Sequence, residues 1–397
     1  MTDYLQEARA LFPFTRSMRR DFHIHPELGF KEIRTGGIVA KELESLGLEV
    51  TKGVGKTGVV GLLEGSKPGP TLLIRFDMDA LPIVEETGAE YASQNKGVMH
   101  ACGHDGHTAI GLTVARMLYN HRADLAGIVK FCFQPSEEGF NDEECGGNEM
   151  MIRDGVLEGP KVDQTLSLHL WNEKPLGWIG AAGGPVMAGA EQFSIKLTGR
   201  GGHGAVPHLT IDPIVAAAQV ITAIQTITSR NVAPLQAAVV SVTTVQSGTA
   251  FNVIPQEALL TGTIRTFDLG VRQTVLERFE QIVHGVAEAL GCQVQIDVKR
   301  VTPAVINNDD LAAKVQATAS RLLPDLDLET AGYLTMGAED MAFMQEKVPG
   351  CYFFIGSNNK EKHLDYGHHH PKFDFDEEAL VRGAALMAAA VADILSG

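Results

Sequence analysis

The chain is poor in cysteine and in positive charge, and it has no long hydrophobic run. Its 397 residues hold five cysteines, Cys102, Cys132, Cys145, Cys292 and Cys351. An odd, scattered set is not a disulfide framework. It excludes a small disulfide-stapled scaffold and points to a reducing, cytoplasmic setting. Lysine and arginine number 33 against 49 aspartates and glutamates, a formal net charge of -16. A surface of that sign repels phosphate backbones and anionic lipid, so neither nucleic acid nor membrane is expected as a partner. No apolar run approaches the roughly 20 residues that span a bilayer. The opening Met1-Thr2-Asp3-Tyr4 has neither the basic nor the apolar part of a secretory signal. Internal repeats are absent too, which excludes a solenoid or an array. What remains is a globular composition, 44% hydrophobic and 21% charged, too long for one ordinary core. Two domains are therefore expected.

What the chain does have is concentrated in one stretch, His100-Ala101-Cys102-Gly103-His104-Asp105-Gly106-His107. Three imidazoles, a thiol and a carboxylate crowd around two glycines. These side chains are transition-metal donors, and the Cys-x-His-Asp-x-x-His spacing suits ligation better than capping. Ile110, Leu112, Val114, Met117 and Leu118 follow at roughly helical spacing, so the cluster is predicted on a glycine-hinged loop entering a helix.

Other polar residues recur just past short apolar strands. The strand Thr71–Phe76 runs into Asp77-Met78-Asp79, and Ile128–Phe133 runs into Gln134-Pro135-Ser136-Glu137-Glu138-Gly139. Carboxylates at such places are either a solvated turn or beside a cation. Adjacent glutamates there suit a metal ligand next to a general base. His169 lies near the end of the strand Thr165–Leu170. By itself it reads as a core histidine, but Asp77, Glu137 and His169 together mark one edge of a parallel α/β sheet, where such folds keep their active sites. A first helix over residues 3–22 is expected to be interrupted near Pro13. His23-Ile24-His25-Pro26-Glu27 after it is a weak signal alone.

The middle of the chain changes character. Strand, helix, two strands, helix and strand follow one another between Phe193 and Val298, the β-α-β-β-α-β order of a ferredoxin-like unit. The predicted division is a first domain of residues 1–184 and 300–397, with residues 185–299 inserted. His203, Asn252 and Arg265 are the polar residues of interest in the insertion. Each read singly is an ordinary loop or strand residue.

Taken together these motifs resemble the M20 family of metallo-amidohydrolases and peptidases, within its aminoacylase, hippurate-hydrolase and auxin-conjugate-hydrolase branch. The resemblance is carried by Asp21–Gly29, Arg75–Pro82, Met99–His107, Phe133–Gly139, Gly201–His208, Asn252–Pro255, Gly262–Arg265 and His369–Phe373, nearly the whole chain. Phe76, Ser136 and the acidic stretch Asn141-Asp142-Glu143-Glu144-Cys145 depart from it, which bears on substrate preference. The resemblance implies an α/β catalytic domain with a mostly parallel sheet and an inserted lid or dimerisation domain. It implies two divalent cations (Zn, Mn, Co or Ni) on Cys102, His104, Glu138, His169 and His369. Glu137 would be the general base, Asp79 would orient a ligand imidazole, and His203, supplied by the partner subunit of a homodimer, would stabilise the oxyanion. Asn252 and Arg265 would hold the substrate carboxylate. The expected activity is hydrolysis of N-acyl-amino acids to a carboxylic acid and an amino acid. The alternatives are a carboxypeptidase or dipeptidase on short peptides, and a non-catalytic metal-stabilised binding protein.

Overall fold

The computed structural model describes residues 2–139, 145–323 and 325–396, so most of the acidic stretch Asn141–Glu144 singled out above lies outside the described residues. The chain divides into two compact units. The larger comprises Met1–Gly184, Ile306–Tyr333 and Asp340–Gly397, the smaller Pro185–Val305 and Leu334–Glu339. The boundary expected after residue 299 falls inside the strand Gln293–Thr302, whose pairing with Gly189–Thr198 continues to Thr302. Leu334–Glu339 joins the smaller unit because Ala188 N–H donates to the carbonyls of Thr335 and Gly337.

The larger unit is built on an eight-stranded sheet in the order Glu49–Val54, Gly58–Glu64, Ala126–Gln134, Lys67–Asp77, Gln164–Pro175, Gly350–Asn358, Trp178–Gly180, Asp327–Glu329. The four central strands from Ala126–Gln134 to Gly350–Asn358 are mutually parallel. Parallel strands are covered on both faces and read as continuous apolar runs. Gly350–Asn358 is buried at every position for that reason. Helices Tyr4–Ile24, His104–Asn120 and Glu378–Leu395 pack against one another, and the last two also contact the sheet. Their apolar faces merge with the strands into one core that includes Phe22, Phe76, Leu112, Phe131, Leu168 and Leu386.

Helix Tyr4–Ile24 passes through Pro13 without a break, contrary to the predicted interruption. An internal proline removes one hydrogen bond and costs about 3 kcal/mol in an isolated helix. Here Tyr4, Ala8, Thr15, Arg19 and Phe22 are buried along one face, and that tertiary packing offsets the cost.

The smaller unit is a four-stranded antiparallel sheet in the order Ala238–Ser247, Glu257–Thr266, Gly189–Thr198, Gln293–Thr302. Helices Pro213–Thr226 and Leu269–Ala289 contact the sheet and each other. Glu257–Thr266 alternates between fully and partly buried residues, the pattern of a sheet covered on one face. Phe193 and Phe279, both fully buried, meet with ring centroids 4.7 Å apart at the centre of that core. The β-α-β-β-α-β order read from the sequence is the order observed.

Candidate metal centre

The strands Lys67–Asp77 and Ala126–Gln134 end side by side, with Asp77 opposite Gln134. Beyond them the chain continues into Met78–Leu81 and Pro135–Gly139, so both carboxylate segments emerge at the carboxyl edge of the sheet. Gly103 delivers the third segment. Its φ of +95° is a left-handed conformation that glycine adopts without strain. That turn sets Cys102 just before the helix His104–Asn120 and His104 at its first position.

The hydrogen bonds assign each imidazole a different part. His107 donates from Nδ1 to Asp77 Oδ1 at 2.6 Å and accepts at Nε2 from the Leu170 amide at 2.9 Å, so both nitrogens are committed to protein. His104 donates from Nδ1 towards Asp79, 3.0 Å from its carbonyl and 3.1 Å from Oδ1. Its Nε2 is buried with no hydrogen-bond partner. His169 donates from Nδ1 to the Leu170 carbonyl at 2.7 Å, which turns Nε2 to within 3.5 Å of Cys102 Sγ. His100 is buried, and burial holds it down to about 4, hence neutral.

Opposite these donors, Glu138 Oε1 is buried and receives no hydrogen bond, although His369 Nε2 lies 3.2 Å away. Among the described residues, five groups of donors come together, two of which contain Cys102: Cys102 with His104 and His169, and Cys102 with Glu138 and His369. In each, the candidate atoms lie within 4.8 Å of one another. Cys102 belongs to both. Glu137 comes close as well, with Oε2 3.9 Å from His104 Nε2.

The electrostatics call for positive charge. Burial opposes ionisation of Cys102, and Glu138, Glu137 and Asp77 add repulsion, so its thiol is held well above the ordinary range. Burial disfavours the charged form of His104, yet Asp77, Asp79 and Glu138 carry it up to about 10. The same carboxylates would favour a bound cation. Orphaned Nε2 and Oε1 atoms in a cluster of thiol, imidazole and carboxylate fit a divalent transition metal better than a hydrogen-bonded core. Beneath them Arg75 is fully buried, 2.6 Å from Asp77 Oδ2 and 3.0 Å from Asp340 Oδ1. Buried carboxylates need that pairing.

Sequence reasoning overlooked the support around the cluster. Arg19, fully buried, donates to Asp105 Oδ2 at 2.8 Å and to Asp374 Oδ1 at 2.7 Å. It thereby ties the segment after His104 to the segment after His369. His23 donates from Nδ1 to the same Asp105 oxygen at 2.7 Å, which gives the His-x-His-Pro stretch a bracing role. Glu32 is also fully buried. Nothing local in the sequence separates it from an ordinary helix-entry glutamate.

The remaining predicted residues lie in the smaller unit. His203, exposed, pairs with Val253 in a two-stranded ribbon, and Gly204 N–H donates to the Asn252 carbonyl at 2.8 Å. His203 and Asn252 are thus neighbours. His203 Nδ1 accepts from the Ala205 amide at 3.0 Å, which leaves the ring hydrogen on Nε2. Arg265 stands apart from them on the four-stranded sheet, half-buried, with Nε donating to Thr263 Oγ1 at 3.2 Å. Burial lowers its pKa, against the opposing pull of Glu191.

Residues 73–393 match Peptidase family M20/M25/M40. The chain is 47% identical over 293 residues to an N-acyl-L-amino acid amidohydrolase of Geobacillus stearothermophilus, covering 74% of this chain and 77% of that one. It is 40% identical over 381 residues to thermostable carboxypeptidase 1 of Saccharolobus solfataricus, covering 95% and 94%. The crystal structure of a dinuclear metal-binding peptidase of the M20 family from Bacillus subtilis superposes with a TM-score of 0.84 at 36% identity, covering 98% of this chain and 99% of that chain.

Proposed function

The chain belongs to peptidase family M20/M25/M40, and on that footing we propose that it hydrolyses N-acyl-amino acids to a carboxylic acid and a free amino acid. It is a hydrolase of amide bonds whose centre takes two divalent cations. Cys102, His104, Glu138, His169 and His369 would hold them. Thiolate, imidazole and carboxylate together suit Zn, Mn, Co or Ni. When bound, such a pair supplies a water of lowered pKa and polarises the amide carbonyl.

The observation that carries a catalytic reading is Glu137. It stands beside Glu138 at the same strand end, with Oε2 3.9 Å from His104 Nε2, where a general base next to a ligand would be. Glu137 takes the proton of the attacking water and returns it to the leaving amine. Asp79 holds His104 in the tautomer that turns Nε2 inward, since its carboxylate occupies the Nδ1 side. His203, whose Nε2 carries a hydrogen, donates to the oxyanion of the tetrahedral intermediate. It would come from the partner subunit of a homodimer. Arg265 offers paired donors to the substrate carboxylate, with Asn252 assisting. The five cysteines, an odd and scattered set, support a cytoplasmic setting.

A carboxypeptidase is the second reading, favoured by the Saccharolobus relative's name. A free carboxylate is recognised in both, so the acyl group distinguishes them. The test is a panel of acetyl-, benzoyl- and indoleacetyl-amino acids beside dipeptides, assayed after metal reconstitution. Faster turnover of the N-acyl-amino acids supports the first reading. Turnover of peptides alone would overturn it.

A further inference from the structure

The three residues Ser136, Glu137 and Glu138 are held by their backbone at both ends. Glu138 N–H donates to Asp79 Oδ2 at 3.0 Å, so the aspartate that orients His104 also fixes this end of the loop. At the other end Ser136 N–H donates to Glu32 Oε1 at 2.9 Å, and Ser136 C=O accepts from the Gly147 amide at 2.9 Å. Ser136 has a φ of +46°, a left-handed conformation in which a residue with a side chain is strained. Such a conformation persists only when its surroundings over-determine it. The strain therefore sits immediately before the glutamate read as the base.

Glu32 is the group that over-determines it. Its carboxylate is fully buried and divided between two donors, Ser136 N–H on Oε1 and Thr57 Oγ1 on Oε2 at 2.5 Å. It occupies the N-cap position of the helix Ile33–Ser45 yet makes no capping hydrogen bond with its side chain. Glu27 serves the first amides instead, accepting from Arg34 and Thr35 at 3.0 and 2.8 Å. So the helix does not need the Glu32 carboxylate. Burial, reinforced by Asp79, pushes the Glu32 carboxyl up to about 7, an unfavourable place for an acid that only packs. Gly29 closes the arrangement from the same segment. A Cβ there would come 2.5 Å from Ser136 Oγ.

We infer that Glu32 is a positioning residue for Glu137: by accepting the Ser136 amide it holds the loop in the strained turn that sets the base beside the metal ligands. Glu32 touches neither substrate nor cation. The inference rests on Glu137 being the base. A neutral acceptor of equal length would do the same work, whereas a shorter acid would not reach. This separates it from a residue needed for its charge.

The test uses the full chain with Glu32→Leu, Glu32→Asp and Glu32→Gln. Four quantities are read: kcat and KM on an N-acyl-amino acid, metal content, and hydrogen exchange at the Ser136 amide in the metal-free protein. Glu32→Leu and Glu32→Asp are expected to lower kcat about three- to tenfold, the effect of losing one neutral hydrogen bond. KM and metal content stay at parental values, and Ser136 loses its exchange protection. Glu32→Gln rescues both kcat and protection. Should Glu32→Leu fail to fold, Glu32→Asp carries the same test. Loss of Ser136 protection with parental kcat would overturn the inference. So would a Glu32→Gln as slow as Glu32→Asp. A Glu137→Gln variant measured alongside keeps the two readings apart. If it stays active the base assignment falls, and if it is inactive while Glu32→Asp is not, only the present inference falls.

Discussion

In the larger unit most polar groups of the candidate centre are buried and several are fixed by other buried groups, although His369 is exposed. Asp77 holds His107, Asp79 holds His104, Arg75 sits beneath Asp77, and Arg19 joins Asp105 to Asp374. In the smaller unit the candidate residues His203 and Asn252 are exposed on a two-stranded ribbon, and Arg265 is half-buried with a hydroxyl as its neighbour. The difference follows from what each set must do. Groups that bind cations and move protons need a fixed field and low dielectric, which burial among paired charges provides. Groups that meet a substrate from solution must stay accessible. Removing a buried member should therefore disturb metal binding and chemistry together. Removing His203, Asn252 or Arg265 should leave the metals in place.

The largest effect is expected from Cys102→Ala, which deletes the donor common to both triads. Metal content and activity should fall in parallel, by more than the about 10–100-fold that loss of a supporting group costs. Two cations bound as tightly as in the parent would remove Cys102 from the ligand set. The same residue sharpens the comparison through pH. Its thiol lies well above the ordinary range, and His104 lies at about 10, so both carry protons in the metal-free chain at neutral pH. Cations must displace them, so apparent affinity should rise with pH, by up to about a hundredfold per unit if both protons leave. A titration showing no pH dependence would contradict that.

His203→Ala comes next. Loss of one oxyanion donor costs about 10²–10³ in kcat, with metal content and thermal stability unchanged because the side chain is exposed. A parallel loss of metal would move His203 out of this role. Arg265→Ala is the smallest, roughly ten- to a hundredfold in kcat/KM. Compared on an N-acyl-amino acid and its amide, the mutant should lose most of the parent's preference for the acid. Undiminished preference would show that the carboxylate is read elsewhere.

The same contrast explains what could be read from the sequence. The alternation of apolar strands and helices, and the β-α-β-β-α-β run between Phe193 and Val298, have periods that the chain displays directly. Clustered donors such as Cys102 and His104 were legible because their spacing is local. The division of labour among imidazoles was not. His104 and His107 differ in their partners, Asp79 against Asp77 at Nδ1, and the Leu170 amide, far away in sequence, at the Nε2 of His107 alone. Glu32 and Arg19 gave no sign for a similar reason, since a charged side chain reads as surface until its distant partners are known. Pro13 misled because propensity is a local quantity and helix Tyr4–Ile24 is sustained by packing.

The donor cluster of the larger unit is read as binding two cations while Glu137 moves the proton. Metal content by atomic absorption and kcat, measured together on Glu137→Gln, test it most directly. Two cations per chain in both parent and variant are expected, with kcat in the variant lower by about 10²–10⁴. A variant that retains near-parental kcat, or a parent that binds fewer than two cations, would contradict it.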